Sequence, residues 1–130
     1  MCSRGDEVRY LAERASEFLR TAEYQMNNGF HSLAAFSLER SLQLFLKAKL
    51  LAMGVEYPRT HSVRRLLEML SEVSEEGQKG VARSLLQRYL LELGVLEDAY
   101  ITPRYVAREF RREEVERLKG VVEEVMRNVA

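Results

Sequence analysis

Residues 34 to 51 read AAFSLERSLQLFLKAKLL, and the stretch limits what the whole chain can fold into. A helix with one neighbour needs a single apolar stripe, but here apolar side chains fall on nearly every side. Leu38, Leu42 and Phe45 share one side while Leu33, Phe36, Leu44 and Leu51 lie on others, so more than one element must pack against it. The pattern predicts a central helix from about Ser32 to Met53 that stops at Gly54. One polar line interrupts it: Glu39, Gln43 and Lys47 fall four residues apart, with the acid N-terminal to the base as pairing and the helix dipole favour. The plain reading is a solvated stripe. The alternative is the lining of a cleft or a subunit interface, where a buried charge must be paired.

The flanking sequence supplies the neighbours. Val8, Leu11, Ala12, Ala15, Phe18, Leu19, Ala22 and Met26 recur at three- and four-residue spacing, predicting a first helix from about Asp6 to Asn27, closed by Asn28 and Gly29. VEYPRTHS is a connection in which Pro58 biases Tyr57 away from helix and Thr60 or Ser62 caps the next start. A short third helix follows, from Val63 to Val73. SEEGQKG, residues 74 to 80, reads as a loop or frayed helix start. A fourth helix runs from Val81 to Leu96, weakened by Gly94, and Pro103 breaks the pattern before a last helix from about Arg112. With no β-branched alternation, the expected fold is an all-α, up-and-down bundle of four to five helices.

At 130 residues the chain suits one domain over 1–130, able to bury about two thirds of the surface of its unfolded form. Twenty Lys and Arg offset twenty Asp and Glu, so no global field draws it to nucleic acid or a membrane, although a local basic patch remains open. The single cysteine, Cys2, cannot form an internal disulfide, and no apolar run reaches a membrane span or a signal peptide. The expectation is a soluble cytoplasmic protein.

Chemistry-bearing motifs are few. The two histidines, His31 and His61, have no nearby Cys and form no HExxH pair, so no metal site is expected; neither glycine-rich phosphate loop occurs, and no cofactor is implied. His31 stands at a helix start, suited to a cap or surface hydrogen bond, and His61 beside the Thr60 cap, where an imidazole can bond the backbone or face a ligand. The richest tract is YITPRYVAREFRR, residues 100 to 112, with four arginines and three aromatics. Guanidinium beside tyrosine suits single-stranded RNA or a nucleotide phosphate. The competing reading is a loop whose aromatics close the bundle end while its arginines pair with Glu109, Glu113 and Glu114.

These segments together resemble a family. Phe18 to Leu67, with AAFSLERSLQLFLKAKLL, a Gly, then YPRTHSVRRLL, looks like the HEPN domain of prokaryotes, and AYITPRY resembles the Y-I-x-x-R-Y tract of its small members. The resemblance implies a helical bundle, usually a homodimer, with a cleft near the two-fold axis. Many such domains are ribonuclease toxins held in check by a small partner nucleotidyltransferase, and others only bind nucleotides or RNA. Catalytic members carry an Arg, a gap of four to six residues and a His near the last helix; here no histidine follows His61, and neither histidine has such an Arg upstream. The expectation is therefore a non-catalytic module with no catalytic residues assigned. Arg104 and Tyr105 match the R-Y of the tract, His61 the connector histidine and Lys47 the lysine of the LKA run. Arg104 is the expected phosphate ligand, Tyr100 or Tyr105 the stacking ring, and Lys47 with His61 the cleft lining, while Glu39 and Gln43 belong to a cleft or interface stripe. The alternatives are a ribonuclease toxin of a toxin-antitoxin pair, working through His61, and a purely structural dimerisation unit.

Overall fold

The computed structural model describes residues 3–105 and 109–129, with side chains everywhere in these ranges except at 101–105. Six helices and no strand occur among the described residues: α1 (Arg4–Asn27), α2 (His31–Ala52), α3 (Val63–Val73), α4 (Glu76–Arg88), α5 (Leu90–Tyr105) and α6 (Arg112–Val129). None is long and apolar enough to cross a membrane.

The α2 helix is the hub. Leu38, Leu42, Leu46 and Leu50 are fully buried in a core completed by Leu66, Leu67, Leu93, Leu96, Val115 and Val122. The opposite side of α2 packs along α1, where Ala15, Ala22, Ala34, Ala35 and Ala48 carry little side chain, so the two backbones approach closely. Ser41 exploits that approach, its hydroxyl donating to the Ala15 carbonyl at 2.6 Å. Both helices end identically. Gly29 and Gly54 adopt φ +80°, and each allows paired bonds back into the last turn, Gly29 N–H to Met26 O with Phe30 N–H to Gln25 O, and Gly54 N–H to Leu51 O with Val55 N–H to Leu50 O.

The boundaries of α2 and α3 agree with the sequence reading to within a residue or so. The first helix begins two residues earlier than expected because Ser3 and Asp6 form a reciprocal capping box, with aspartate where the commoner pattern has glutamate. Of the two readings of residues 74 to 80, loop or helix start, the structure shows the helix start, α4 beginning at Glu76. The expected fourth helix is two. Its apolar stripe continues through Ala82, Leu85, Leu93, Leu96 and Ala99, but the chain turns at Tyr89, so α4 covers α3 while α5 covers α2. Neither Gly nor Pro stands at the turn; tertiary packing imposes it. Pro103 does not stop α5 at once either: the helix continues two residues beyond it, to Tyr105, without the ladder bond that its missing N–H cannot give.

Gly94 has a specific use. Arg64, on the first turn of α3, lies across α5 so closely that a Cβ on Gly94 would meet its Nη1 at 3.3 Å. The guanidinium thereby reaches Glu97, donating to it from Nε at 2.9 Å and Nη2 at 3.1 Å. Glu97 also accepts from the Ser62 hydroxyl and the Arg64 N–H, while the Ser62 oxygen accepts from Arg65 N–H. Ser62 is therefore the cap of α3, with Thr60 accepting from Ser62 N–H behind it, and one carboxylate fixes the connection, α3 and α5 together.

Candidate functional site

The face of α2 between α1 and α5 carries the polar line. Glu39 and Gln43 are 0% exposed, so the reading of a solvated stripe does not hold for them. The pair is connected by hydrogen bonds in one direction. Gln43 Nε2 donates to Glu39 Oε2 at 2.8 Å, and Gln43 Oε1 accepts from Lys47 Nζ at 3.0 Å and from Arg40 Nη1 at 3.1 Å. Two cations thus converge on one neutral oxygen, and neither forms an ion pair with a carboxylate among the described residues. Glu39 Oε1 is buried and makes no hydrogen bond there.

The charge states follow from this geometry. Burial is the main force on Glu39, disfavouring the anion and pushing its carboxyl up to about 7; Glu97 adds to the rise, while the Gln43 bond and the charges of Arg40 and Lys47 oppose it. Lys47 is lowered by burial first and then by repulsion from Arg40, against the attraction of Glu39. Its ammonium also lies 5.3 Å from the centre of the Tyr57 ring.

Beside this ladder lies an aromatic group. Tyr100 stacks on His61 at 4.2 Å between ring centres and 21° between planes, and Phe36 lies 5.8 Å from Tyr100 at 18°. Arg40 joins the two halves, its guanidinium carbon 5.7 Å over Tyr100 and 5.9 Å from the Phe18 ring of α1. His61 is exposed; Arg40, Lys47 and Tyr100 are half-buried. The arrangement puts two positive charges, an imidazole and a stack of rings on one face, the residue types that hold a phosphate and an adjoining base.

Of the residues singled out from sequence, the structure brings Tyr100 and His61 into contact and joins Lys47 to Glu39 through Gln43. The last turn of α5 contains Arg104 and Tyr105, whose side chains lie outside the described residues. Sequence reasoning passed over Arg40 and Phe36, although both stand at helical spacing from the polar line: Phe36, Arg40, Gln43 and Lys47 follow one another at intervals of four, three and four. Glu97 gave no such signal, because only the packing of α5 on α2 and α3 places it there.

At the far end of the arginine-rich tract the aromatic closes the bundle as the competing reading expected, but the arginine pairs with a different glutamate. Phe110 is buried, its N–H donating to Ser32 Oγ at the start of α2, and Arg112 pairs with Glu116 at 2.9 Å. His31 does not cap α2; Phe30 occupies the cap position, and His31 Nδ1 is buried without a hydrogen bond among the described residues. Among the described residues no group of three His, Cys, Asp or Glu comes together to hold a metal.

Comparison with known proteins bears on the chain as a whole. The family model for the HEPN domain matches residues 8–130. No curated protein matches the chain. Among solved structures, the crystal structure of TT1696 from Thermus thermophilus is similar, with 26% sequence identity and a TM-score of 0.74 over 94% of each chain. With the match spanning nearly its whole length and the helical bundle to go with it, the chain belongs to the HEPN domain family.

Proposed function

We propose that this HEPN protein is a non-catalytic cytoplasmic module that binds a nucleotide or single-stranded RNA on the face formed by Arg40, Lys47, His61 and Tyr100. The observation that carries the reading is the convergence of Arg40 and Lys47 on the neutral Gln43 oxygen with no carboxylate partner among the described residues. A phosphate supplies the missing negative charge, and the rings beside it accept a base by stacking. Arg104, one helical turn beyond Tyr100 in sequence, belongs to the same reading as a further phosphate ligand, with Tyr105 as a second ring. In this reading the module works as a homodimer, and a small nucleotidyltransferase is the protein partner that family likeness suggests.

Cleavage is disfavoured because the chain has no Arg followed at the family spacing by a His, and the imidazole that the fold brings to the tract, His61, is stacked on Tyr100. The test is equilibrium binding of nucleotides and short single-stranded RNA, with the RNA then run on a denaturing gel. Arg40→Ala and Lys47→Ala each weaken binding by about tenfold, the scale of one lost charged hydrogen bond, and the RNA stays intact. Arg104→Ala with unchanged affinity removes Arg104 from the site, and unchanged affinity in all three variants overturns the reading. Metal-independent cleavage lost in His61→Ala identifies a ribonuclease instead.

A further inference from the structure

We propose that Glu39 is a proton-operated counterion beneath the Arg40 and Lys47 pair: ionised, it competes with a bound anion for their charge, and protonated, it yields that charge to the anion. The inference rests on the binding reading above and adds to it a control that no ligand contact reveals.

The geometry isolates Glu39 from every bulk exchange except that of a proton. Its side chain is fully buried, one oxygen is occupied by Gln43 Nε2, and the other has no hydrogen-bond partner among the described residues. Its link to the two cations runs through a single amide, because Arg40 and Lys47 both bond the far end of Gln43. An anion arriving at the cations therefore does not touch Glu39, yet the two negative charges share one pair of positive ones. Because Glu39 is fully buried, water screens its charge poorly and the repulsion is felt across this distance.

The groups around it do not take over that role. From α2 the charges are Arg40 and Lys47 themselves. From α5, Glu97 is engaged by Ser62 and Arg64 of the α3 start, and its own charge opposes ionisation of Glu39. Tyr100 of α5 is stacked on His61 of the connection. Tyr57 of the connection faces Lys47 and donates its hydroxyl to Glu7 of α1 at 3.1 Å, while Phe18 of α1 faces Arg40. The buried residues of α6 are all valine or leucine. Burial brings the carboxyl into the neutral range, so both of its states are populated where the protein works.

Linkage then sets the sign. An anion binds the protonated form better, so binding draws a proton from solvent onto Glu39 and affinity falls as pH rises through the neutral range. His61 stacks on Tyr100 beside the same cations, so its contribution is separated from that of Glu39 by substitution.

The experiment measures binding of an oligouridylate without terminal phosphates, whose backbone charge is constant, and of inorganic sulfate, at pH 6 and pH 8. For the wild-type protein the affinity falls roughly three- to tenfold between the two, the effect of a proton whose pKa moves by up to about one unit on binding. In E39Q the affinity at pH 8 rises towards the wild-type value at pH 6 and the dependence on Glu39 disappears, whereas His61→Ala binds more weakly but keeps it. As a second measurement, carbon-13 NMR of the wild-type Glu39 carboxyl shows it titrating near neutrality and moving upward when either probe is added. Affinity independent of pH, the same pH dependence in E39Q, or a Glu39 carboxyl that the probes do not shift overturns the proton switch while leaving the binding reading standing. Failure of both probes to bind at either pH overturns both.

Discussion

Glu39 and Gln43 show how much one residue's environment changes its meaning. In sequence they mark a polar register on an apolar helix; in the fold, burial makes Gln43 an adaptor that turns a carboxylate acceptor into a carbonyl facing two cations. A residue-scale prediction follows from the carboxyl being pushed from 4.5 to about 7. Between those values the folded protein binds more protons than the unfolded one, so this group's contribution to stability falls as pH rises through that window and levels off above it. Glu39→Gln removes the effect. Denaturant unfolding of the variant at pH 8 shows it more stable than wild type, by up to about 3 kcal/mol, with the gap closing towards pH 5. An equal gap at both pH values means that Glu39 ionises normally in the fold. The spacing of Glu39, Gln43 and Lys47 was legible in the chain, whereas their burial depended on where α5 came to rest.

At the scale of elements, local chemistry explains most of what sequence disclosed. The α1 and α2 ends were visible because a glycine just past the last apolar residue is needed for positive φ. Gly29 tests this cleanly, since a Cβ there meets nothing within 4 Å and only the backbone term remains. Gly29→Ala lowers stability by about 1 kcal/mol in thermal or denaturant unfolding, and a variant as stable as wild type shows that the turn can rearrange without cost. The start of α3 was likewise legible from Ser62. The division between α4 and α5 was not, because the apolar stripe runs unbroken across Tyr89 and no turn-forming residue stands there. The Tyr89 hydroxyl donates to Glu124 of α6, a contact between residues far apart in sequence.

For the whole molecule, the hub position of α2 governs the cost of change. Leu42 is 0% exposed at the centre of the core, and Leu91 at the start of α5 is 82% exposed. Leu42→Ala costs roughly 2 to 5 kcal/mol through lost burial and the cavity it leaves, and Leu91→Ala stays within about 0.5 kcal/mol. Comparable losses for the two, measured by denaturant unfolding, contradict the placement of α2 at the centre. An all-helical bundle around the segment at 34 to 51 was determined by the chain itself, because a helix apolar on most sides must be buried among other elements and the rest of the chain offers only helical patterns. The order of motifs likewise pointed to the HEPN family before any contact was known. What only the tertiary structure decided was the site: Tyr100 meets His61, Arg40 spans two rings, and Glu97 clamps three segments. The physical reason is range. Periodicity and caps act within a few turns of one helix, whereas these contacts join side chains more than 20 positions apart, and their formation depends on the angle at which packed helices cross.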